Sequence, residues 1–271
     1  MKKTFDINRF WQVMKWTVLT ERKSIITAFI AFVCGFLAIQ LFSCFTIFDL
    51  THGLGFAATM AGMQTCSMFI GFLWLYYASG VLGNVRTGQQ RITALMLPAS
   101  NVEKFFARLI FCCILMPLVV YLAILAATGL RMFFELIAGH EGIVWGLSYV
   151  FGFDANITGL EFSTFFSIAS SCWSISLFVL GGVFFRQRPF IWTAVTIFAA
   201  SLLLSTLVFY IGTMIGEDNI KHFLMSFRNM SFETFDLIVS LLLTAFTVFN
   251  VWLSYRLYCR LKVVQHKWFN L

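Results

Sequence analysis

The chain has 271 residues, 60% of them hydrophobic and 11% charged, with a mean hydropathy of +0.86 and a formal net charge of +7. Soluble domains carry about a quarter charged residues, so this composition excludes an ordinary soluble fold and specifies an all-α integral membrane protein that crosses the bilayer several times. In such a chain the placement of the charges outweighs their sum, and the positive balance gives no reason to expect a nucleic-acid partner.

The first predicted element covers residues 5–20. Ile7, Phe10, Trp11, Met14 and Val18 recur at helical spacing, with Asn8, Arg9, Gln12 and Lys15 opposite them. A Trp-bearing apolar face against a basic polar face specifies a helix lying in the membrane interface, with Phe10, Trp11 and Met14 at the headgroup boundary. A cleavable signal peptide fits less well, because the apolar stretch after Lys23 is too long for its apolar core and no small-residue cleavage site follows. The segment is expected to stay in the mature protein.

Six apolar runs follow, at 25–48, 59–82, 109–130, 164–185, 190–211 and 235–255, each near the roughly 20 residues that a spanning helix needs. None carries a charged side chain in its middle. The segments between them alternate in charge. The N-terminus, the loop 83–108, Arg186 with Arg188 and the tail after Tyr255 hold sixteen of the nineteen Lys and Arg but only three acids, a balance of +13, while the opposite side carries −6. The positive-inside rule therefore places both termini in the cytoplasm.

The loop 83–108 is the one inner segment with room for structure of its own. Pro98 lacks an N–H and disfavours helix at Leu97, so a helix arriving from Gln89 should stop near Met96. Ser100 with Glu103 three residues on forms a capping box, and the new helix should run through Phe105, Phe106 and Leu109 into the third span. The tip of this kinked element, Ile92, Leu95, Met96 and Leu97, is apolar and is ringed by Arg86, Arg91, Lys104 and Arg108. Such a tip reads equally as a surface for a protein partner and as a solvated loop whose bases hold topology.

On the outer side, residues 131–163 contain an apolar segment at 142–153 that is too short to span and is expected to be interfacial or re-entrant, and residues 212–234 contain a short amphipathic helix near 220–227. None of the seven cysteines falls in these loops, no CxxC or Cys/His cluster is present, and the four histidines are dispersed. The cysteines read as packing residues, and neither a metal site nor a cofactor is expected. The sequence also lacks GxSxG and GxxxxGK[ST], which argues against a serine hydrolase and against nucleotide binding by this chain. An enzymatic role is not expected.

Within the spans the polarity is neutral. Ser167, Ser170, Ser171 and Ser174 share a face of the fourth span, with Gly181 and Gly182, and Thr244, Thr247 and Asn250 approximate another on the sixth. Close helix packing is the favoured role for these small residues, with a pathway lining as the alternative. Pro117 should kink the third span. Ion-coupled carriers use ionisable groups inside their spans, and none stands mid-span here, so energy for any transport should enter from outside the membrane.

The interfacial segment FDINRFWQVMKWTVLTERKSI, the six spans and the stretch ALMLPASNVEKFFARL resemble the permease subunits of type-2 ABC transporters. The resemblance is most specific at Leu97, Pro98, Ala99 and Ser100, followed by Glu103, Lys104 and Arg108. It implies a single permease domain over 1–271 in a bacterial inner membrane. It also implies a separate P-loop ATPase chain, a second permease copy or a related permease, and export of substrate. Arg91, Leu95, Met96, Leu97, Pro98, Ser100, Glu103 and Lys104 would then form the ATPase-coupling loop. The alternative is a non-transporting membrane scaffold or sensor subunit.

Overall fold

The computed structural model describes residues 6–51, 55–83, 92, 96–137, 164–185, 187–215 and 232–260. They are helical, with no β-strand among them: α1 (Ile7–Thr20), α2 (Arg22–Thr51), α3 (Gly55–Ser79), α4 (Asn101–Ile110), a π-helical turn (Phe111–Leu115), α5 (Met116–Ile137), α6 (Thr164–Phe184), α7 (Pro189–Ile215) and α8 (Phe232–Cys259). Among the described residues five helical stretches are long and apolar enough to cross a membrane, at Arg22–Phe42, Asn101–Phe134, Thr164–Phe184, Pro189–Ile211 and Thr234–Cys259. α3, with 25 residues, covers most of the predicted second span. The segments expected at 142–153 and 220–227 lie outside the described residues.

Contacts divide the chain into two compact units, Met1–Tyr77 with Pro98–Gly159, and Ala78–Leu97 with Leu160–Leu271. In the first, α2, α3 and α5 share a core of Phe36, Cys66, Val120, Ala123, Ile124 and Ala127. The spacing of 120, 123, 124 and 127 is the i, i+3, i+4, i+7 stripe of a helix buried along one side. The small residues on that stripe, Ala123 and Ala127, let the neighbouring backbones approach. Beside this core the buried Gln40 donates from Nε2 to Thr128 Oγ1 at 3.2 Å, an amide to hydroxyl pair across α2 and α5.

The passage from α4 to α5 has a specific cause. Pro117 has no N–H to give to the Cys113 carbonyl four residues earlier. Just ahead of it the backbone widens into the π turn, in which the Met116 N–H donates to the Phe111 carbonyl five residues back. The indole N–H of Trp74, on α3, donates to the Cys113 carbonyl at 3.0 Å. The expected proline kink is thus a local widening whose released acceptor is satisfied by a neighbouring helix.

In the second unit α6 packs on α7 and α8. α6 and α7 join through a very short turn in which Arg188 adopts the left-handed region at φ 44. Pro189 then occupies the first helical position of α7, where no N–H is needed. Phe178 stacks on Phe190 at 5.4 Å and Phe185 on Trp192 at 6.3 Å, closing the hairpin. Gly181 faces Thr193, and Gly182 lies so near the Ser79 carbonyl that a Cβ there would collide with backbone. Along the α6–α8 seam the buried Asn250 donates from Nδ2 to Ser176 Oγ at 3.1 Å.

Candidate functional site

The strongest local organisation falls where the sequence places the coupling loop. Met96 is helical and Leu97, Pro98 and Ala99 are not, so helical backbone stops at Met96 as expected, while the helix expected from Gln89 lies outside the described residues except at Ile92 and Met96. Ser100 then caps α4: its Oγ accepts the Glu103 N–H at 3.3 Å, and Glu103 Oε2 accepts the Ser100 N–H at 2.8 Å, the reciprocal box read from the sequence. The backbone therefore turns on a defined hinge rather than drifting into the helix.

Glu103 does more than the box requires. Its other oxygen, Oε1, accepts the Asp6 N–H at 2.9 Å and lies 3.7 Å from Arg9 Nη2. One fully buried carboxylate thereby holds the starts of two helices, α4 through Ser100 and α1 through Asp6. Asp6 is itself the N-cap of α1, accepting the Asn8 N–H at 3.0 Å, and sits 3.6 Å from Arg9 Nε. At the far end of α1, Glu21 accepts from Arg108 Nη2 at 3.3 Å, and the Arg108 guanidinium lies over the Phe111 ring at 5.2 Å. Between these two polar contacts Val13 and Met14 bury against Ala99 and Ala107, with Phe10 and Ile110 at the margin.

This docking corrects the expectation for α1. The sequence put Phe10, Trp11 and Met14 together at the headgroup boundary, whereas Met14 is buried against protein and Phe10 partly so. Trp11 remains 69% exposed. The apolar arc of α1 is shared between two environments.

Of the remaining predicted residues, Met96 is 79% exposed, Ile92 and Pro98 are exposed, and Leu97 and Lys104 are half-buried; Arg91 and Leu95 lie outside the described residues. The two spans with small polar residues divide differently from the sequence reading. Ser167 and Ser171 are exposed, Ser170 and Ser174 half-buried, and their hydroxyls donate within α6: Ser170 and Ser171 to the Ser167 carbonyl and Ser174 to Ser170. Thr244 and Thr247 likewise donate to Leu241 and Leu243 of their own helix. The packed face of α6 is instead Ala169, Ser176, Val179, Gly182 and Val183, and it is Ser176 that meets Asn250. Gly181 and Gly182 continue the serine side of α6 two to three turns further on, and there the helix is buried where the serines are not.

Two ionisable residues escaped the sequence reading. Arg131, assigned to an outer loop, is buried within α5, and Asp236 is buried in the first turns of α8. Their position near the ends of apolar runs gave the only signal. Among the described residues no three His, Cys, Asp or Glu side chains gather as metal ligands would. No protein-family model, curated protein or solved structure matches this chain.

Proposed function

We propose that this chain is the membrane-spanning permease subunit of an ABC exporter. In this reading α2, α3, the α4–α5 helix, α6, α7 and α8 are its six transmembrane helices, both termini face the cytoplasm, and the membrane is a bacterial inner membrane. A separate P-loop ATPase hydrolyses the nucleotide, a second permease copy or a related permease completes the complex, and this chain carries neither catalytic residues nor a cofactor.

The observation that supports this reading most is the element at 96–108. A lever that passes a partner's motion into a membrane helix needs a contact point and a rigid connection. Met96 offers an exposed apolar contact next to the helix break, and α4 is fixed at its first turn by the Ser100–Glu103 box and continues through the π turn into α5. An element that only held topology would not require a buried carboxylate tying it to α1.

Purification of the full chain from its host membrane in mild detergent tests the proposal. A stoichiometric P-loop ATPase should copurify with the wild-type chain, and Met96→Asp should lose it while keeping wild-type helix content and thermal stability, because a charge at an exposed position disturbs an interface and not the fold. Recovery of a different stoichiometric partner, unchanged by Met96→Asp, would favour the scaffold or sensor role.

A further inference from the structure

α1 commits only part of its apolar surface to protein. Phe10, Val13 and Met14 turn toward α4 and Thr17 is buried, whereas Ile7, Trp11, Lys15 and Leu19, spaced four apart, form one row that is exposed along its whole length. Connectivity fixes what covers that row. α1 ends at Thr20 and α2 begins at Arg22, leaving Glu21 alone between α1 and a helix long and apolar enough to cross a bilayer. One residue reaches less than about 4 Å, and Ile25 and Ile26 already stand in the first turns of α2. α1 is thereby held at the bilayer surface, where an exposed Trp and two large aliphatics meet headgroups and the upper acyl chains.

The charges on this surface are of one sign. Glu21 is engaged by Arg108, and Glu103 and Asp6 by Arg9. Lys15, Arg22 and Lys23 are exposed and, among the described residues, enter no ion pair. Lys15 stands between Trp11 and Leu19, so its alkyl stem can lie with them while its ammonium reaches the phosphate level. Arg22 and Lys23 stand at the point where the chain enters the bilayer.

We infer that the exposed row of α1, with Lys15, Arg22 and Lys23, binds the phosphate headgroups of anionic phospholipids and so anchors α1 to one leaflet. The inference rests on the chain spanning a membrane and not on the ATPase partner, so loss of the partner leaves it standing and its own failure leaves the partner in place.

The test uses the full chain in neutral detergent, offered phosphatidylglycerol and phosphatidylcholine in equal amounts, with bound lipid counted by native mass spectrometry. The wild-type chain should retain phosphatidylglycerol preferentially. The triple variant Lys15→Gln, Arg22→Gln, Lys23→Gln should lose that preference by a factor on the order of a hundred, since each cation near an anionic surface contributes about fivefold. Lys15→Arg with Lys23→Arg should keep it, as should Arg256→Gln with Arg260→Gln, which removes two exposed cations from the end of α8. Should the triple variant fail to fold, the wild-type preference must still collapse near about 0.5 M salt, where exposed charges are screened over a few ångströms. Three results would each overturn the inference: a triple variant with wild-type preference, an equal loss in the α8 control, or a preference insensitive to salt. Full displacement of the lipid by glycerol phosphate would assign a free-anion site and overturn it as well.

Discussion

Glu103→Ala should release α1 from α4 while leaving both helices formed. The substitution removes one acceptor from the Asp6 N–H and another from the Ser100 N–H, and it strips the buried partner from Arg9. A donor deprived of its acceptor in a buried setting costs about 1–3 kcal/mol. These two are only partly buried, so water recovers some of the loss and a total of about 2–3 kcal/mol is expected. What remains, the Val13 and Met14 contacts and the Glu21–Arg108 bridge, holds α1 less firmly. Exchange of the amides of 7–20 should therefore accelerate by roughly thirtyfold or more, with circular dichroism unchanged. Glu103→Gln keeps one carbonyl acceptor and the shape, and should fall between the two. If α1 in Glu103→Ala exchanges at the wild-type rate, the apolar contacts alone dock it and the carboxylate is incidental.

Gly182→Val should have the larger effect on the fold itself. The Cβ added at this position would run into the Ser79 backbone, and no rotamer can relieve a collision between Cβ and a carbonyl. Overpacking in a core costs about 1–3 kcal/mol where side chains can yield; here the end of α3 at Ser79 would have to part from α6, and more than about 3 kcal/mol is expected. Gly181→Ala should be milder, because the atoms it meets belong to the Thr193 side chain. Gly71→Ala provides the contrast: nothing lies within 4 Å of its would-be Cβ, and alanine favours the helix by about 1 kcal/mol. Thermal unfolding in detergent should thus rank Gly71→Ala at or above wild type, Gly181→Ala below it and Gly182→Val lowest. A Gly182→Val protein as stable as wild type would mean that Ser79 is not held against α6.

The parts of this structure that could be read from the sequence are those set within a few residues. The Leu97–Pro98 break and the Ser100–Glu103 box need only neighbours three or four apart, and both appear as expected. The lengths of the apolar runs give the long helices for a similar reason, since a backbone in hydrocarbon must satisfy its own hydrogen bonds. Contacts across the chain were not legible. Nothing local announces that Glu103 also holds Asp6, 97 residues away, or that Met14 turns to protein while Trp11 does not. The serines of α6 illustrate the same limit, because a face of small residues can be drawn on a helical wheel but its neighbour cannot. Ser176, absent from the predicted set, is the hydroxyl that meets Asn250. In lipid, where apolar residues surround every helix on all sides, hydrophobic periodicity no longer marks the inside.

The π turn ahead of Pro117 gives the third apolar helix two phases. A regular helix advances by about 100° per residue, so the extra residue that a π turn accommodates offsets everything before Phe111 from everything after Leu115 by about that angle. Ala107 and Ile110 can thus look toward α1 while Val120, Ala123 and Ala127 look toward α2 and α3, an arrangement that one unbroken stripe would not give. Sequence numbers on the two sides of 111–115 therefore belong to different wheels. Shortening the turn by one residue would leave every other side chain chemically intact and still rotate the Glu103 side of α4 by about 100° relative to α5.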